Sequence, residues 1–128
     1  MTQSDKDLLL KDLCARLPYG VKGEKYTIRM DGEFVPLIDV ETIIVEDIIT
    51  LNGCPGYTIK PYLFPLSSMT EEQKREFDIS MDMGYAAAYN AEINCANRMI
   101  DFFNKYHLDY RGLIPMGLAN DATGLHIY

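Results

Sequence analysis

Apolar residues recur at helical spacing near the start of the chain: Leu8, Leu9, Leu10, Leu13, Cys14 and Leu17 follow steps of three and four. Ser4 reads as the N-cap, with Asp5 and Asp7 in the first turn, where the helix dipole favours negative charge. Pro18 stops this helix and Tyr19-Gly20 turns the chain. From Val21 to Met30 the period becomes two. Tyr26, Ile28 and Met30 alternate with Lys25, Thr27 and Arg29, which predicts a half-buried strand. Asp31-Gly32 is the strongest hairpin signal, a dipeptide that tolerates positive φ. Glu33 to Ile38 is then the return strand, and Pro36 marks it as an edge or a bulge. Glu41 to Leu51 is β-branched and apolar. Glu46 and Asp47 interrupt it, so a helix competes, but the β-branched content favours one or two strands. Asn52 to Gly56 is a loop by composition, and Tyr57 to Lys60 is the last strand.

The stretch from Gly56 to Gln73 starts as a strand, meets Pro61 and Pro65, and ends as a helix start. It is too apolar and aromatic for a solvated linker, so the halves on either side share one core. Thr70-Glu71-Glu72-Gln73 is a capping box, opening a helix that runs to about Ser80. Gly84 is a soft point, and a longer helix follows to His107 with the stripe Tyr85, Tyr89, Ile93, Ala96, Ile100 and Phe103. The tail from Leu113 to Tyr128 is loop-rich. The expected fold is one α+β domain over 1–128. A helix covers 1–18, and a β-rich half over 19–66 forms an antiparallel meander of about four strands. An α-rich half over 67–128 packs a helical pair on that sheet and ends in a loop-like tail.

Composition narrows the function classes. The 128 residues are enough for a single core without a metal or disulfide staple. The formal charge of −7 argues against non-specific nucleic-acid binding and against docking on an anionic membrane, and fits a basic partner surface. Cys14, Cys54 and Cys95 are odd in number and widely spaced, with no CxxC and only His107 and His126 as further soft ligands. They read as buried, reduced thiols in a cytoplasmic protein, with no metal and no cofactor. The start of the chain is polar and has no signal-peptide pattern, and no apolar run is long enough for a membrane span.

Three segments carry a resemblance: Lys11-Asp12-Leu13-Cys14-Ala15-Arg16-Leu17-Pro18-Tyr19-Gly20-Val21, the run from Ile59 to Thr70, and the run from His107 to Ala119. Together they resemble a family of small uncharacterised proteins of gut Bacteroides genomes, often in phage or mobile-element settings. About a third of the chain takes part, without the 22–55 region. The resemblance implies a setting and brings no activity or catalytic residues with it.

Candidate chemistry is sparse. Asp78 and Asp82, four apart, suit a cation or an acid–base pair, but also continue an acidic solvated edge with Glu71, Glu72 and Glu76. Asp39, Glu41, Glu46 and Asp47 are acidic without EF-hand spacing and read first as solvent-facing strand ends. Cys95 and His107 lie twelve residues apart on one helix, about 18 Å of rise, too far for a nucleophile and its base; Cys14 is the other thiol that could approach His107. Asn90, Asn94, Asn97 and Arg98 form the polar side of that helix. Tyr85, Tyr89, Tyr106, Tyr110 and Phe102 offer aromatic surface of the kind recognition patches use, although helix packing uses it too. His107, Asp109, Tyr110 and Arg111 cluster at the helix end, where Arg111 suits a carboxylate or phosphate.

The expected function is therefore non-enzymatic: an accessory factor of a phage or mobile element that binds a host or phage protein, with Tyr85, Tyr89, Tyr106, His107, Asp109, Tyr110 and Arg111 as its binding residues. The alternative is a small-molecule binder or small enzyme with a pocket at His107, Asp109 and Arg111. A structural homo-oligomer, built through a sheet edge or the aromatic helix face, is the third option.

Overall fold

Gln3–Arg16 forms the first helix, α1, in the computed structural model, which describes residues 2–29, 31–86 and 91–128. Thr2 caps it instead of Ser4. The Thr2 hydroxyl accepts the Asp5 N–H at 3.1 Å and the Asp5 carboxylate accepts the Thr2 N–H at 3.0 Å. Both residues have an acid three positions on, and the box closes on the earlier one. Leu9 and Leu13 leave α1 fully buried. A short 3₁₀ turn, Leu17–Tyr19, ends at Gly20 with φ +70°, the left-handed turn that Pro18 and Gly20 foretell.

The fold is α+β, as the apolar pattern predicts. Among the described residues the sheet has five strands. β1 (Lys22–Ile28) lies between β2 (Phe34–Thr42) and β3 (Tyr57–Pro65), antiparallel to both. Two short strands from the tail, β4 (Leu108–Asp109) and β5 (Asn120–Asp121), add to β3 in parallel, so the sheet is mixed. β2 is an edge strand and its register against β1 shifts twice, which bears out the reading of Pro36 as an edge and bulge marker.

One sequence expectation is overturned. Residues 45–53 are a helix, α2 (Val45–Gly53), not a strand. Asp47 at its third position accepts the Ile44 N–H at 2.9 Å, and Leu51 and Asp47 face inward. The two charges that seemed to interrupt a strand are the acidic first turn of this helix. α2 packs beside α1 and β3, closing the core around Leu9, Leu13, Ile43, Leu51, Ile59 and Leu63.

α3 (Glu71–Ala86) and α4 (Ala91–Lys105) form the helical pair. The capping box at Thr70 and Gln73 is made from both sides, at 3.1 and 3.0 Å. α3 extends past Ser80 and through Gly84. The pair is held by Phe77 against Phe102 and Phe103, with ring centroids 5.3 and 5.8 Å apart, and α4 meets the sheet at β4.

Gly23 sits in β1 against the main chain of β3. A Cβ there would stand 2.9 Å from the Lys60 carbonyl oxygen and 3.2 Å from the Pro61 Cα. Both neighbours are main chain and cannot swing aside. Gly23→Ala is expected to lower stability by about 1–3 kcal/mol in urea denaturation; unchanged stability would mean the strands can part there without cost.

Candidate functional site

The segment 106–111 leaves α4 by a sharp turn. His107 takes φ +56°, with its N–H bonded to the Asn104 carbonyl at 3.2 Å, which ends the helix. A left-handed non-glycine residue is uncommon and is held here by its surroundings. The His107 carbonyl then accepts the Phe64 N–H at 2.8 Å, and Leu108–Asp109 continues beside β3.

Each expected binding residue in this segment turns out to serve the fold. Tyr106 donates its hydroxyl to Glu76 of α3, which also pairs with Lys105 at 2.9 Å. Those hydrogen bonds, from Tyr106 first and then Lys105, hold the Glu76 carboxyl below the usual range. Asp109 is buried and accepts the N–H groups of Leu113 and Ile114, each at 2.9 Å, one per carboxylate oxygen. Arg111 donates to Asp12 at 3.1 Å and to the Tyr110 hydroxyl at 3.1 Å. Tyr110 lies under two guanidinium groups, Arg111 at 4.8 Å and Arg16 at 5.1 Å from its ring centre. His107, Asp109 and Arg111 thus point into the protein and are not convergent donors around a ligand. Tyr89 lies outside the described residues, as do Asn90 and the side chains of Tyr85, Ile93 and Asn94. Asp78 and Asp82 are exposed.

The centre of this arrangement is Asp12, which sequence reading missed. Asp12 and Arg16 are fully buried and joined at 2.8 Å across one turn of α1. The second oxygen of Asp12 takes Arg111, and Arg16 reaches on to the Leu108 carbonyl at 2.7 Å. A buried carboxylate is tolerable only when paired, and here two guanidinium groups satisfy it. The available sequence signal was an Asp–Arg pair four apart on a helix, both within a resemblant segment. The cluster joins α1 to the 107–111 segment, which lies beside the end of β3.

His107 is buried and stacks on Tyr128 with ring centres 3.7 Å apart. Burial first, then the charges of Arg16 and Lys22, push its pKa down to about 4, so it is neutral at pH 7. The Tyr128 hydroxyl accepts the Lys22 N–H at 2.8 Å and donates to the Tyr62 carbonyl at 2.7 Å. It acts as a rung between β1 and β3 at the point where the ladder of β1 ends. Burial raises the Tyr128 phenol to about 12.

The acidic stretch at the end of β2 has an internal cation. Lys25 pairs with Asp47 at 2.9 Å and Glu41 at 3.0 Å. Burial alone would lower the pKa of Lys25, but the hydrogen bonds to Asp47 and Glu41 outweigh it and the net direction is upward. Glu24 likewise accepts the hydroxyls of Tyr26 and Tyr62.

Apolar side chains also face solvent, on α3, α4 and the tail as well as in the first half. Ile28, Phe34, Leu37 and Val40 on the hairpin, and Ile44, Val45 and Ile49 at α2, are exposed, Ile49 to 66%. Comparison with protein-family models, with curated proteins and with solved structures finds no match. Among the described residues no helix is long and apolar enough to cross a membrane.

Proposed function

We propose that this chain is a non-enzymatic protein-binding factor, acting for a phage or other mobile element on a host or phage protein. The observation that carries this reading is the contrast between interior and surface. The Tyr106, Asp109 and Arg111 side chains are hydrogen-bonded within the protein and the His107 ring is stacked on Tyr128, whereas seven large apolar side chains between residues 28 and 49 face solvent. Exposed apolar surface of this extent marks an interaction face more often than it marks a monomer's neutral surface. The binding face therefore moves from the tyrosines of the second half to the hairpin and α2 of the first. Negative net charge favours a partner whose rim around the contact is basic.

The test is affinity capture with quantitative mass spectrometry, comparing the native chain with Leu37→Asp and Ile49→Asp. Both side chains are exposed, so circular dichroism should show the fold unchanged. A partner retained by the native chain and lost at least ten-fold by either variant is the expected result. Identical capture by all three chains would remove this face from function.

A further inference from the structure

The final stretch of the chain lies on the surface as a strap. The Ala122 N–H is bonded to the Leu63 carbonyl at 2.8 Å, and Gly124 at φ +76° then turns the chain. Residues 123–126 are exposed. The strap is held again at Ile127 and Tyr128. Lys22 of β1 donates from its ammonium to the Ile127 carbonyl at 2.8 Å. The Tyr128 hydroxyl spans the Lys22 N–H and the Tyr62 carbonyl, and its ring lies on the His107 imidazole. Tyr128 is 41% exposed and His107 is 8% exposed, so the tyrosine covers the imidazole with one face and shows water the other. Among the described residues the apolar core around Leu9, Leu13, Ile59 and Leu63 takes nothing from 123–128, so the strap can part without opening it.

We propose that His107 is an acid-operated latch: protonation of its ring releases residues 123–128 from β1 and β3 while the rest of the fold stays closed. The surroundings of the ring carry the argument. Its Nδ1 is buried and makes no hydrogen bond among the described residues. The charges that act on it are both positive, Arg16 from α1 and Lys22 from β1, and the titratable group stacked on it is the Tyr128 phenol. From α4 and β3 its bonded neighbours are neutral main-chain groups, of Asn104 and Phe64. An imidazolium therefore meets no anion here, and solvating it requires the cover to lift. Cation–π attraction from the Tyr128 face opposes the release, but it is a weaker effect than burying a charge without an anion. Once the strap is off, the Lys22 N–H and the Tyr62 carbonyl pass from the Tyr128 hydroxyl to water.

The experiment is native-state hydrogen exchange of the ¹⁵N-labelled full chain at about pH 7 and pH 4.5, without urea and in low urea. It reads the Lys22 amide, which the Tyr128 hydroxyl covers, against the amide of Leu13 in the core. With the His107 pKa at about 4 under the strap and 6.5 when free, the protection factor of Lys22 should fall on the order of fifty-fold from pH 7 to pH 4.5. Lys22 exchange should also be insensitive to urea, the sign of a local opening, whereas Leu13 exchange should rise with urea. His107→Phe and His107→Gln remove the titrating ring and should abolish the fall. His126→Gln, in the strap itself, should keep it. A Lys22 amide unprotected at pH 7, equal protection at both pH values, exchange that climbs with urea together with Leu13, an undiminished fall in either His107 variant, or a fall abolished by His126→Gln would each overturn the latch.

Discussion

Asp12→Asn is expected to cost about 3–5 kcal/mol of stability, the largest effect of any single conservative substitution considered for this chain. The amide keeps the shape but removes the charge facing Arg16 and Arg111, and Arg16 is fully buried. A guanidinium left there has the Leu108 carbonyl and the Tyr110 ring for company, but no anion. Arg16→Met should cost less, about 1–3 kcal/mol, because Arg111 still neutralises Asp12. Urea denaturation of both variants checks the order. Should Arg16→Met prove the more damaging, the view of Arg111 as a working counter-ion is wrong. The double variant Asp12→Leu/Arg16→Met should recover part of the loss, since no buried charge of that pair remains.

Acid should weaken the fold between pH 6.5 and 4, starting above the range where most carboxylates titrate. The folded state holds His107 at about 4, against 6.5 for the free group. Between those values the unfolded chain binds the extra proton, so stability is complete above pH 6.5 and falls as pH drops toward 4. The size is on the order of 3 kcal/mol. Protonation places a cation beside Arg16 and Lys22 and against the face of Tyr128, whose hydroxyl ties β1 to β3. Urea midpoints measured across this window should slope for the native chain and lie nearly flat for His107→Phe, which keeps a ring on Tyr128. A native chain with no slope there would show that the imidazole is solvated when folded. At the other extreme the sign reverses: Tyr128 keeps its proton in the fold, so stability falls as pH rises from 10 toward 12.

Local features of the fold were legible because local physics decides them. The leucine spacing in α1, the Asp31-Gly32 turn, the edge character of Pro36 and the Thr70–Gln73 box each depend on residues within a few positions. α2 was misread because its β-branched residues outweighed its cap in a reading confined to its own segment. What selects the helix is Leu51 reaching the shared core and Asp47 reaching Lys25, neither of which is local. The partners of the candidate site residues were hidden for the same reason. His107, Asp109 and Arg111 look like convergent chemistry in sequence, but Asp109 turns back on the nearby Leu113 and Ile114 amides, while His107 and Arg111 meet Tyr128 and Asp12 from distant parts of the chain. Arg111 bonds a residue 99 positions earlier, and Tyr128 bonds one 106 positions earlier. Spacing carries no trace of such pairings, so surface exposure of the apolar hairpin could not be read either.

The two register shifts and Pro36 in β2 have a consequence for crowding. An outer strand whose amides are out of step cannot template a regular run of main-chain bonds with a second copy. Its apolar side chains stay exposed, yet the irregular border disfavours edge-to-edge pairing of the kind that builds fibrils.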